Sequence, residues 1–419
     1  MGLTATPTEP TAPTQTEPTA DVQPRRCSLA ALIGAAAVDD FLSNAFGRDA
    51  FRARMTPEVA GGLFGWPQLN TALAEHRLSP PRLRLEQYGG DVTAGVFRSR
   101  RTRRGVVLQD LDSAALTAKL RDGATLIVDA VNELSAPLQD LCSGLSSEFT
   151  AWCQTNLYAC WGTAQGFDVH WDDHDVFVVQ LAGRKRWALY GPTEASPTRR
   201  GAREPPAEPP PSEPELVVLE PGDVLYLPRG HWHAAAGLGG PTLHLTIGLT
   251  RKTPSDLLHW LADEMLSDPA SRADLPFEAG DAAVAERVAA VLAALAQQAP
   301  ADLARRYRRH MEAALPQRPQ LSFPDIAADV ALPPLTQLVL GQGPARLTRC
   351  EGGLTLSWRG FEFSLAPVLE TSMRKLLAGE AVSVADIRAA APTSSDEQIQ
   401  RLLGELVRRG TLIPQGAAH

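Results

Sequence analysis

The chain of 419 residues carries 40 basic and 48 acidic side chains, a formal net charge of −8, and 44% hydrophobic residues. Its length indicates two or three domains, and its composition is typical of a folded globular protein. The acidic balance argues against direct nucleic-acid binding, because domains of that class usually present a basic face. Five irregularly spaced cysteines without a CxxC pair argue against a disulfide framework and a thiolate zinc site.

The N-terminal region divides into a polar tail and a helical segment. Residues 1–26 consist mainly of Thr, Pro, Glu and Ala, so we expect a disordered tail. The tail lacks the apolar core of a secretion signal, and no run of 18 apolar residues follows, so we expect a cytoplasmic protein without a membrane span. Residues 28–78 are predicted to be helical from the spacing of apolar residues such as Leu29, Leu32 and Ile33.

From about residue 80 to residue 250 the pattern changes to short apolar runs separated by turn residues. The predicted strands are 83–88, 105–108, 125–129, 156–161, 175–181, 186–190, 216–219, 223–227 and 242–249. Many short strands in succession favour a β-sandwich or a β-barrel. Eight of the 34 prolines lie in residues 192–214, which we predict to be a long surface loop between two strands.

After Thr250 the pattern becomes helical again. We predict a helix capped by Ser255 and continuing to Met265, and then two more helices. The last 80 residues are predicted to hold two short strands and three helices, and the ending RRGTLIP is similar to the strand that closes a winged-helix domain. The predicted elements of this half are helices 281–297 and 301–315, strands near 345–364, and helices near 367–377, 383–390 and 395–409.

The motif HWDDHD, which begins at His170, suggests a metal site. His170 and Asp172 are two residues apart, so an extended segment presents both side chains on one face. One further histidine from a distant strand would complete a 2-His-1-carboxylate triad with open positions, which suits Fe(II) that must also bind a cosubstrate and O2. The segment PRGHWH offers His231 and His233 as that ligand, and their spacing alone does not choose between them.

The combination of HxD, a strand ending in GRKRW, and PGDVLYLPRGHWH resembles the JmjC-type cupin oxygenases. It is most similar to the ribosomal oxygenases, which hydroxylate histidine or arginine side chains of ribosomal proteins. The resemblance implies a double-stranded β-helix and a reaction that uses Fe(II), 2-oxoglutarate and O2. It also selects His233 as the third ligand, because the family's distal histidine is the third residue after PRG, and it leaves His231 as the alternative.

The resemblance further implies the residues that bind the cosubstrate. Lys185 follows His170 by fifteen residues, where the family places the cation that pairs with the distal carboxylate of 2-oxoglutarate. Asn156 and Tyr158 match an upstream family motif, share one strand face, and are expected to hydrogen-bond to the cosubstrate or the substrate. Gln165 completes that motif.

The remaining polar residues near these motifs are expected to support the site, and we expect no catalytic residue beyond the metal triad. Those assigned to the surroundings of the ligands are Gln165, His174, His231 and His244. Trp187 is expected to be a packing residue. Arginine supplies 36 of the 40 basic side chains and alanine is abundant, which is typical of a GC-rich bacterial genome. Lys185 is therefore one of only four lysines, together with Lys119, Lys252 and Lys375.

The resemblance and the pattern together predict a mainly β core within an α+β protein. The expected divisions are a disordered tail (1–26), a JmjC/cupin oxygenase domain with N-terminal helices (27–250), a helical dimerisation domain (251–333) and a winged-helix-like domain (334–419). We expect a homodimer in which the winged helix serves as a structural or protein-docking module.

The expected function is hydroxylation of a protein or peptide side chain, with histidine or arginine of a ribosomal protein as the first candidate. An acidic enzyme suits a basic ribosomal protein, and Lys185 and Asn156 favour histidine over arginine as the target. The alternatives are hydroxylation of a natural-product peptide, N-demethylation, and a non-enzymatic cupin that binds ligands or regulates through its winged helix. A zinc cupin isomerase is disfavoured, because it would need several histidines and a glutamate around the metal.

Overall fold

The computed structural model describes residues 27–198, 208–316, 332–350 and 353–415. These residues form two compact units, and the division falls between Arg251 and Lys252. The predicted disordered tail and the centre of the proline-rich loop, residues 199–207, lie outside the described residues. Within the described residues, every helix is too short or too polar to cross a membrane.

The first unit contains helices and two curved antiparallel sheets. Its helices are α1 (Cys27–Ile33), α2 (Val38–Asp40), α3 (Pro57–Leu63), α4 (Trp66–Glu75), α5 (Ser113–Arg121) and α6 (Ala136–Phe149). Its first strands are β1 (Phe51–Arg54), β2 (Leu83–Gln87), β3 (Gly90–Asp91), β4 (Phe97–Arg101), β5 (Val107–Leu111), β6 (Thr125–Val128) and β7 (Trp152–Cys160). The later strands are β8 (Asp175–Ala182), β9 (Lys185–Pro192), β10 (Glu215–Leu219), β11 (Asp223–Leu227), β12 (His231–Gly237) and β13 (Thr242–Thr250).

The sheets form the predicted barrel. The large sheet has the strand order β1-β11-β8-β13-β7-β6-β2-β3, and the small sheet has the order β10-β9-β12. Both are antiparallel. The strands β4 and β5 form a separate hairpin. The prediction of a double-stranded β-helix core with additional helices is therefore confirmed.

Strand β8 shows why its sequence is a continuous apolar run. Phe177 and Val179 belong to the core between the large sheet and the N-terminal helices. Val176 and Val178 belong to a second cluster, which includes Trp187 of the small sheet. Successive side chains of a strand point to opposite faces, so the central residues 176–179, which are buried on both faces, are all apolar. This arrangement places the inner face of β8 opposite the small sheet.

Part of the N-terminal region differs from the predicted helices. Residues 28–78 were expected to be helical, but Phe51–Arg54 form β1, which pairs with β11 at the edge of the large sheet. Four residues are too few to show a periodicity, and Arg52 and Arg54 are exposed as is usual on an edge strand. Helix α6, which buries Leu138, Leu141 and Leu145 at helical spacing, had not been predicted.

The second unit contains helices and two three-stranded sheets. Its helices are α7 (Pro254–Met265), α8 (Pro269–Arg272), α9 (Asp281–Ala296), α10 (Pro300–Ala314), α11 (Glu370–Leu377), α12 (Val384–Ala390) and α13 (Asp396–Arg408). Its strands are β14 (Gln337–Leu340), β15 (Ala345–Cys350), β16 (Gly353–Trp358), β17 (Phe361–Leu365), β18 (Val382–Ser383) and β19 (Leu412–Gln415). The sheet orders are β18-β14-β19 and β15-β16-β17.

Two details of this unit differ from the sequence-based expectation. Helix α7 is capped by Thr253, not Ser255, because Thr253 and Asp256 exchange hydrogen bonds with each other's backbone in a capping box. Three strands, β15 to β17, occupy the stretch where two were predicted. The ending RRGTLIP contains the expected strand, β19, and this strand pairs with β14, which had not been predicted. The winged-helix assignment and the finer domain divisions stay predictions.

Candidate metal centre and cosubstrate pocket

His170 lies in an extended loop that precedes β8 and is tied to β12. The His170 N–H donates to the carbonyl of His233 at 3.1 Å, and the His233 N–H donates to the carbonyl of His170 at 2.8 Å. Asp172 is fixed next to this pair, because the Gly230 N–H donates to its carbonyl at 2.9 Å. The HxD segment is therefore not part of a regular strand, but its backbone is held against the strand that carries the third predicted ligand.

The ligand atoms of His170, Asp172 and His233 all lie within 4.8 Å of one another. Each imidazole places its Nδ1 at a carbonyl oxygen, that of Asp168 for His170 (2.8 Å) and that of His231 for His233 (2.9 Å). A carbonyl can only accept, so both Nδ1 atoms donate these hydrogen bonds, and in a neutral ring of this tautomer the Nε2 atom carries the lone pair that can bind a metal. The Nε2 of His233 lies 3.7 Å from Oδ2 of Asp172. Such oriented donors are what a first-row metal ion requires.

Burial favours the form of His233 that can bind a metal. It lowers the pKa of His233 below the ordinary value, and the neighbouring Asp172 carboxylate partly opposes this shift. A neutral imidazole is the metal-binding form.

The structure separates His231 from this cluster. A β-bulge between Trp232 and His233 interrupts the register of β12 with β9. The Nε2 of His231 lies 3.1 Å from the carbonyl oxygen of Arg48. The His231 side chain does not line the cavity beside the triad. Its carbonyl nevertheless orients His233.

Two other residues expected near the ligands have local partners. Nδ1 of His174 lies 3.2 Å from Oδ1 of Asp173, and the ring packs against Gly248 and lines the cavity. The Gln165 side chain donates to the carbonyl of Phe167 at 2.6 Å and does not line the cavity. His174 is thus beside the triad, whereas Gln165 supports the loop that leads to His170.

A cavity of about 610 Å³ adjoins the triad between the large and small sheets. Its lining residues are Arg84, Thr125, Trp152, Gln154, Asn156, Tyr158, Gly166, Phe167, His170, Asp172, Asp173, His174, Val176, Val178, Lys185, Trp187, His233, Ala235, His244, Thr246, Gly248 and Thr250. The volume is sufficient for a small dicarboxylate together with a substrate side chain.

Lys185 is the first residue of β9 and lines this cavity with only 6% of its surface exposed. Burial lowers the pKa of its ammonium group. Among the residues that the structure describes, none forms a hydrogen bond or an ion pair with the ammonium group of the Lys185 side chain. A buried cation without a partner is costly, and a carboxylate from outside the chain would remove that cost.

Tyr158 and His244 are cross-strand neighbours on β7 and β13, and their rings stack with centroids 4.9 Å apart. Burial lowers the pKa of His244 well below its ordinary value, so the ring is neutral. Asn156 is held by the Ala130 N–H and the Gln154 side-chain amide, each donating at 3.0 Å to its Oδ1, and it hydrogen-bonds to Tyr158. These three residues therefore form one ordered polar wall of the cavity.

Several cavity residues were not identified from the sequence. Trp187, which we expected to be a packing residue, has its ring centroid 5.8 Å from that of His233 and 5.7 Å from that of His244. Its buried Nε1 has no hydrogen-bond partner among the described residues. Arg84 on β2 and Trp152 on β7 also line the cavity. The alternation of β9 predicts that Trp187 shares a face with Lys185, and this signal could have found it.

Comparison with known proteins identifies the segment that carries this site. Residues 131–257 match the JmjC domain. The chain is 40% identical over 110 residues to the bifunctional lysine-specific demethylase and histidyl-hydroxylase NO66 of Dictyostelium discoideum, covering 26% of this chain and 21% of that protein. It is 35% identical over 149 residues to ribosomal oxygenase 1 of Rattus norvegicus, covering 35% of this chain and 25% of that protein. The match therefore spans about a quarter or less of each of these two relatives.

A solved structure of Escherichia coli YcfD matches this fold over 90% of this chain and 98% of that chain, with a TM-score of 0.54 and 17% identity. YcfD described as a ribosomal oxygenase in complex with cobalt and 2-oxoglutarate matches with a TM-score of 0.52, also at 17% identity and with the same coverage. At this identity the likeness concerns the fold alone. The chain thus contains a segment, residues 131–257, that matches the JmjC domain, and it resembles the ribosomal oxygenases.

Proposed function

We propose that the protein is an Fe(II)- and 2-oxoglutarate-dependent oxygenase that hydroxylates a side chain of a protein or peptide. The observation that carries this proposal is the arrangement in one cavity of two imidazoles, one carboxylate and a buried lysine without a partner. A metal centre alone would not need the lysine. The lysine suits a second, anionic ligand that binds beside the metal.

The donor set fits the proposed metal. Two imidazoles and one carboxylate favour Fe(II) in sites that leave coordination positions open for other ligands. When bound by His170, Asp172 and His233, Fe(II) would supply the site at which O2 is activated with 2-oxoglutarate as the reductant. The hydrogen bonds to Asp168 and His231 keep both rings oriented for this role.

The other cavity residues would bind and orient the cosubstrate and exclude water from it. Lys185 would pair with the distal carboxylate of 2-oxoglutarate. Tyr158 and Asn156 would offer hydrogen bonds from the opposite wall, and Trp187 offers its unpartnered Nε1. Val176 and Val178 close the cavity with apolar surface, which strengthens the charge-assisted contacts by keeping the local dielectric constant low.

The proposed substrate is a histidine or arginine side chain of a ribosomal protein, with histidine preferred. The names of the sequence relatives support this class, since they are called ribosomal oxygenase and histidyl-hydroxylase. The protein's net charge of −8 suits a basic partner.

We also propose that the protein is a homodimer and binds no nucleic acid directly. Support for a dimer comes from α9, where no side chain of the sixteen-residue helix is buried in the described structure although the sequence is rich in Ala, Val and Leu. Val288 and Leu292 on this helix are 45% and 60% exposed. An apolar helix face of this kind is usually covered by a partner.

Mass spectrometry of ribosomal proteins from cells with and without the gene tests the substrate. We expect one residue to carry an added oxygen atom only when the gene is present, and to lose it when a His170→Ala variant replaces the native protein. A loss of methyl groups would instead indicate demethylation. Unchanged ribosomal proteins would contradict the proposed substrate class and favour a peptide from another pathway.

A further inference from the structure

Asp175 is a buried carboxylate next to the candidate metal centre that has no role in the function proposed above. It is the first residue of β8, three positions after Asp172, and only 1% of its surface is exposed. Its Oδ1 accepts a hydrogen bond from the Arg229 N–H at 2.9 Å. Its Oδ2 forms an ion pair with Nε of Arg251 at 2.5 Å. The carboxylate thus joins three segments that are distant in the chain.

The turn that Asp175 holds leads directly to the third candidate ligand. Pro228, Arg229 and Gly230 connect β11 to β12, and Gly230 has a φ of +86°, a backbone conformation that favours glycine. The Gly230 N–H donates to the carbonyl of Asp172. The turn is therefore fixed at two consecutive residues by Asp172 and Asp175. Any shift of this turn would move His233 relative to Asp172, because only two residues lie between Gly230 and His233.

The partner of Asp175 is itself fixed. Arg251 directly follows β13, its guanidinium lies 4.4 Å from the centroid of the Phe46 ring, and it packs against Gly47. The Gly47 N–H donates to the hydroxyl of Tyr226 at 2.8 Å. The pair joins a buried carboxylate to a partly exposed guanidinium with fixed surroundings, and leaving the buried carboxylate unpaired is costly.

We propose that Asp175, held by Arg251, is a positioning residue that sets the distance between the Asp172 and His233 ligands. This inference rests on the proposed metal centre. Neither Asp175 nor Arg251 lines the cavity, so they act through the two ligand-bearing segments and not on the substrate. Interactions of this kind around metal ligands typically change metal affinity by about 10- to 100-fold.

The test measures Co(II) binding to the apo form of the full-length protein, by titration and by the visible spectrum of the bound ion. We expect Asp175→Asn to weaken Co(II) binding by about 10-fold or more and to change the spectrum. The variant keeps an acceptor for the Arg229 N–H but loses the charge pair. Arg251→Lys retains the charge without the guanidinium geometry and is expected to weaken binding less. It also serves as the test if Asp175→Asn does not fold.

Asp223→Asn is the matched control. Asp223 also accepts a hydrogen bond from a turn, the Glu220 N–H at 2.8 Å, and pairs with an arginine, Arg54, but at the opposite end of β11. We expect this variant to lower the melting temperature at most, with Co(II) affinity and spectrum unchanged.

The possible outcomes distinguish a positioning role of Asp175 from a purely stabilising role. They also distinguish failure of this inference from failure of the proposed metal centre. If the folded Asp175→Asn and Arg251→Lys variants melt earlier but bind Co(II) like the native protein, the positioning role is overturned and the metal site stands. If the native protein binds no Co(II), the proposed metal centre fails and the inference fails with it.

Discussion

The backbones of His170 and His233 are joined by a reciprocal pair of hydrogen bonds of 3.1 and 2.8 Å, although 63 positions separate the two residues in the chain. This bridge connects the loop before β8 to the bulged start of β12 and brings the two imidazole centroids to 4.5 Å. The backbone positions of these two candidate metal ligands are therefore fixed by hydrogen bonds between the loop and the strand. The choice of His233 over His231 follows from the same bridge.

Replacement of the two histidines of β12 should have unequal effects. His233→Ala is expected to reduce Co(II) affinity by about 100-fold or more, because it removes a ligand. His231→Ala should keep the metal with an affinity change of about tenfold or less, since its carbonyl still orients His233. Titration of both folded variants with Co(II) checks this, and an equal loss in the two would contradict the assignment.

A second comparison tests the HxD motif against its polar neighbours. His170→Ala should lose the metal, whereas His174→Ala should retain it, because His174 has Asp173 as a local partner and lies outside the cluster of three. Metal content of the purified variants after Fe(II) loading distinguishes them. Retention of iron by His170→Ala would argue against the proposed triad.

Lys185→Met should stabilise the apo protein while abolishing cosubstrate binding. The replacement fills a similar volume and removes a buried charge without a partner, so we expect the free energy of unfolding to rise by about 1 to 3 kcal/mol. The affinity for 2-oxoglutarate should fall by at least about 100-fold, since the distal carboxylate would lose its cation. Chemical denaturation and 2-oxoglutarate titration measure the two effects. A non-enzymatic cupin would show no loss of 2-oxoglutarate affinity.

The lowered pKa of Lys185 predicts a pH dependence with a defined sign. The folded-state pKa lies below the ordinary 10.5, so between the two values the unfolded chain binds more protons and stability rises with pH. Below the folded-state pKa, Lys185 is fully charged in the folded protein, so the free-energy cost of burying this charge is at its maximum. The stability advantage of Lys185→Met should therefore shrink as pH rises through this window. Denaturation of both proteins at a series of pH values measures it, and a constant difference up to pH 10.5 would contradict the account.

The affinity for 2-oxoglutarate should also change as Lys185 titrates, but with the opposite sign to the change in stability. 2-Oxoglutarate affinity should decrease as pH rises through the lowered pKa of Lys185, because a neutral amine cannot pair with a carboxylate. Lys185→Arg is the control, since a guanidinium stays charged in this range. Loss of affinity in both proteins at the same pH would assign the effect to another group.

Helix α7 offers a test of the second unit. Thr253→Ala removes the capping box with Asp256 and should cost about 1 kcal/mol of local stability, whereas Ser255→Ala should have little effect. Hydrogen exchange of the α7 amides reports this stability directly. Faster amide exchange in Ser255→Ala but not in Thr253→Ala would show that Ser255 caps the helix, as expected from the sequence.

Local chemistry made part of the site predictable. The two-residue spacing of His170 and Asp172 led us to expect both side chains on one face of an extended segment, and their ligand atoms do lie within 4.8 Å of each other although the segment is a loop. The spacing of His231 and His233 was not sufficient, because the bulge after Trp232 breaks the alternation on which such reasoning depends. Only the resemblance selected His233, and only the resemblance drew attention to Lys185, whose burial depends on the packing of two sheets.

The elements and residues that were not predicted from the sequence depend on contacts between segments that are distant in the chain. The run FRAR has no apolar periodicity, and it becomes strand β1 because β11 offers an unpaired edge. Arg84 reaches the cavity only because β2 follows β6 and β7 in the large sheet. Thr253 and Ser255 are both good caps by residue type, and the reciprocal bonds with Asp256 favour Thr253. In each case the tertiary partner decides between locally equivalent choices.

The central claim is tested most directly by measuring succinate formation from 2-oxoglutarate by the purified protein with Fe(II) and O2. We predict Fe(II)-dependent turnover that is lost in Asp172→Ala and in Lys185→Met, and that increases when the peptide substrate is added. Absence of metal-dependent turnover in the native protein, or undiminished turnover in Asp172→Ala, would contradict it.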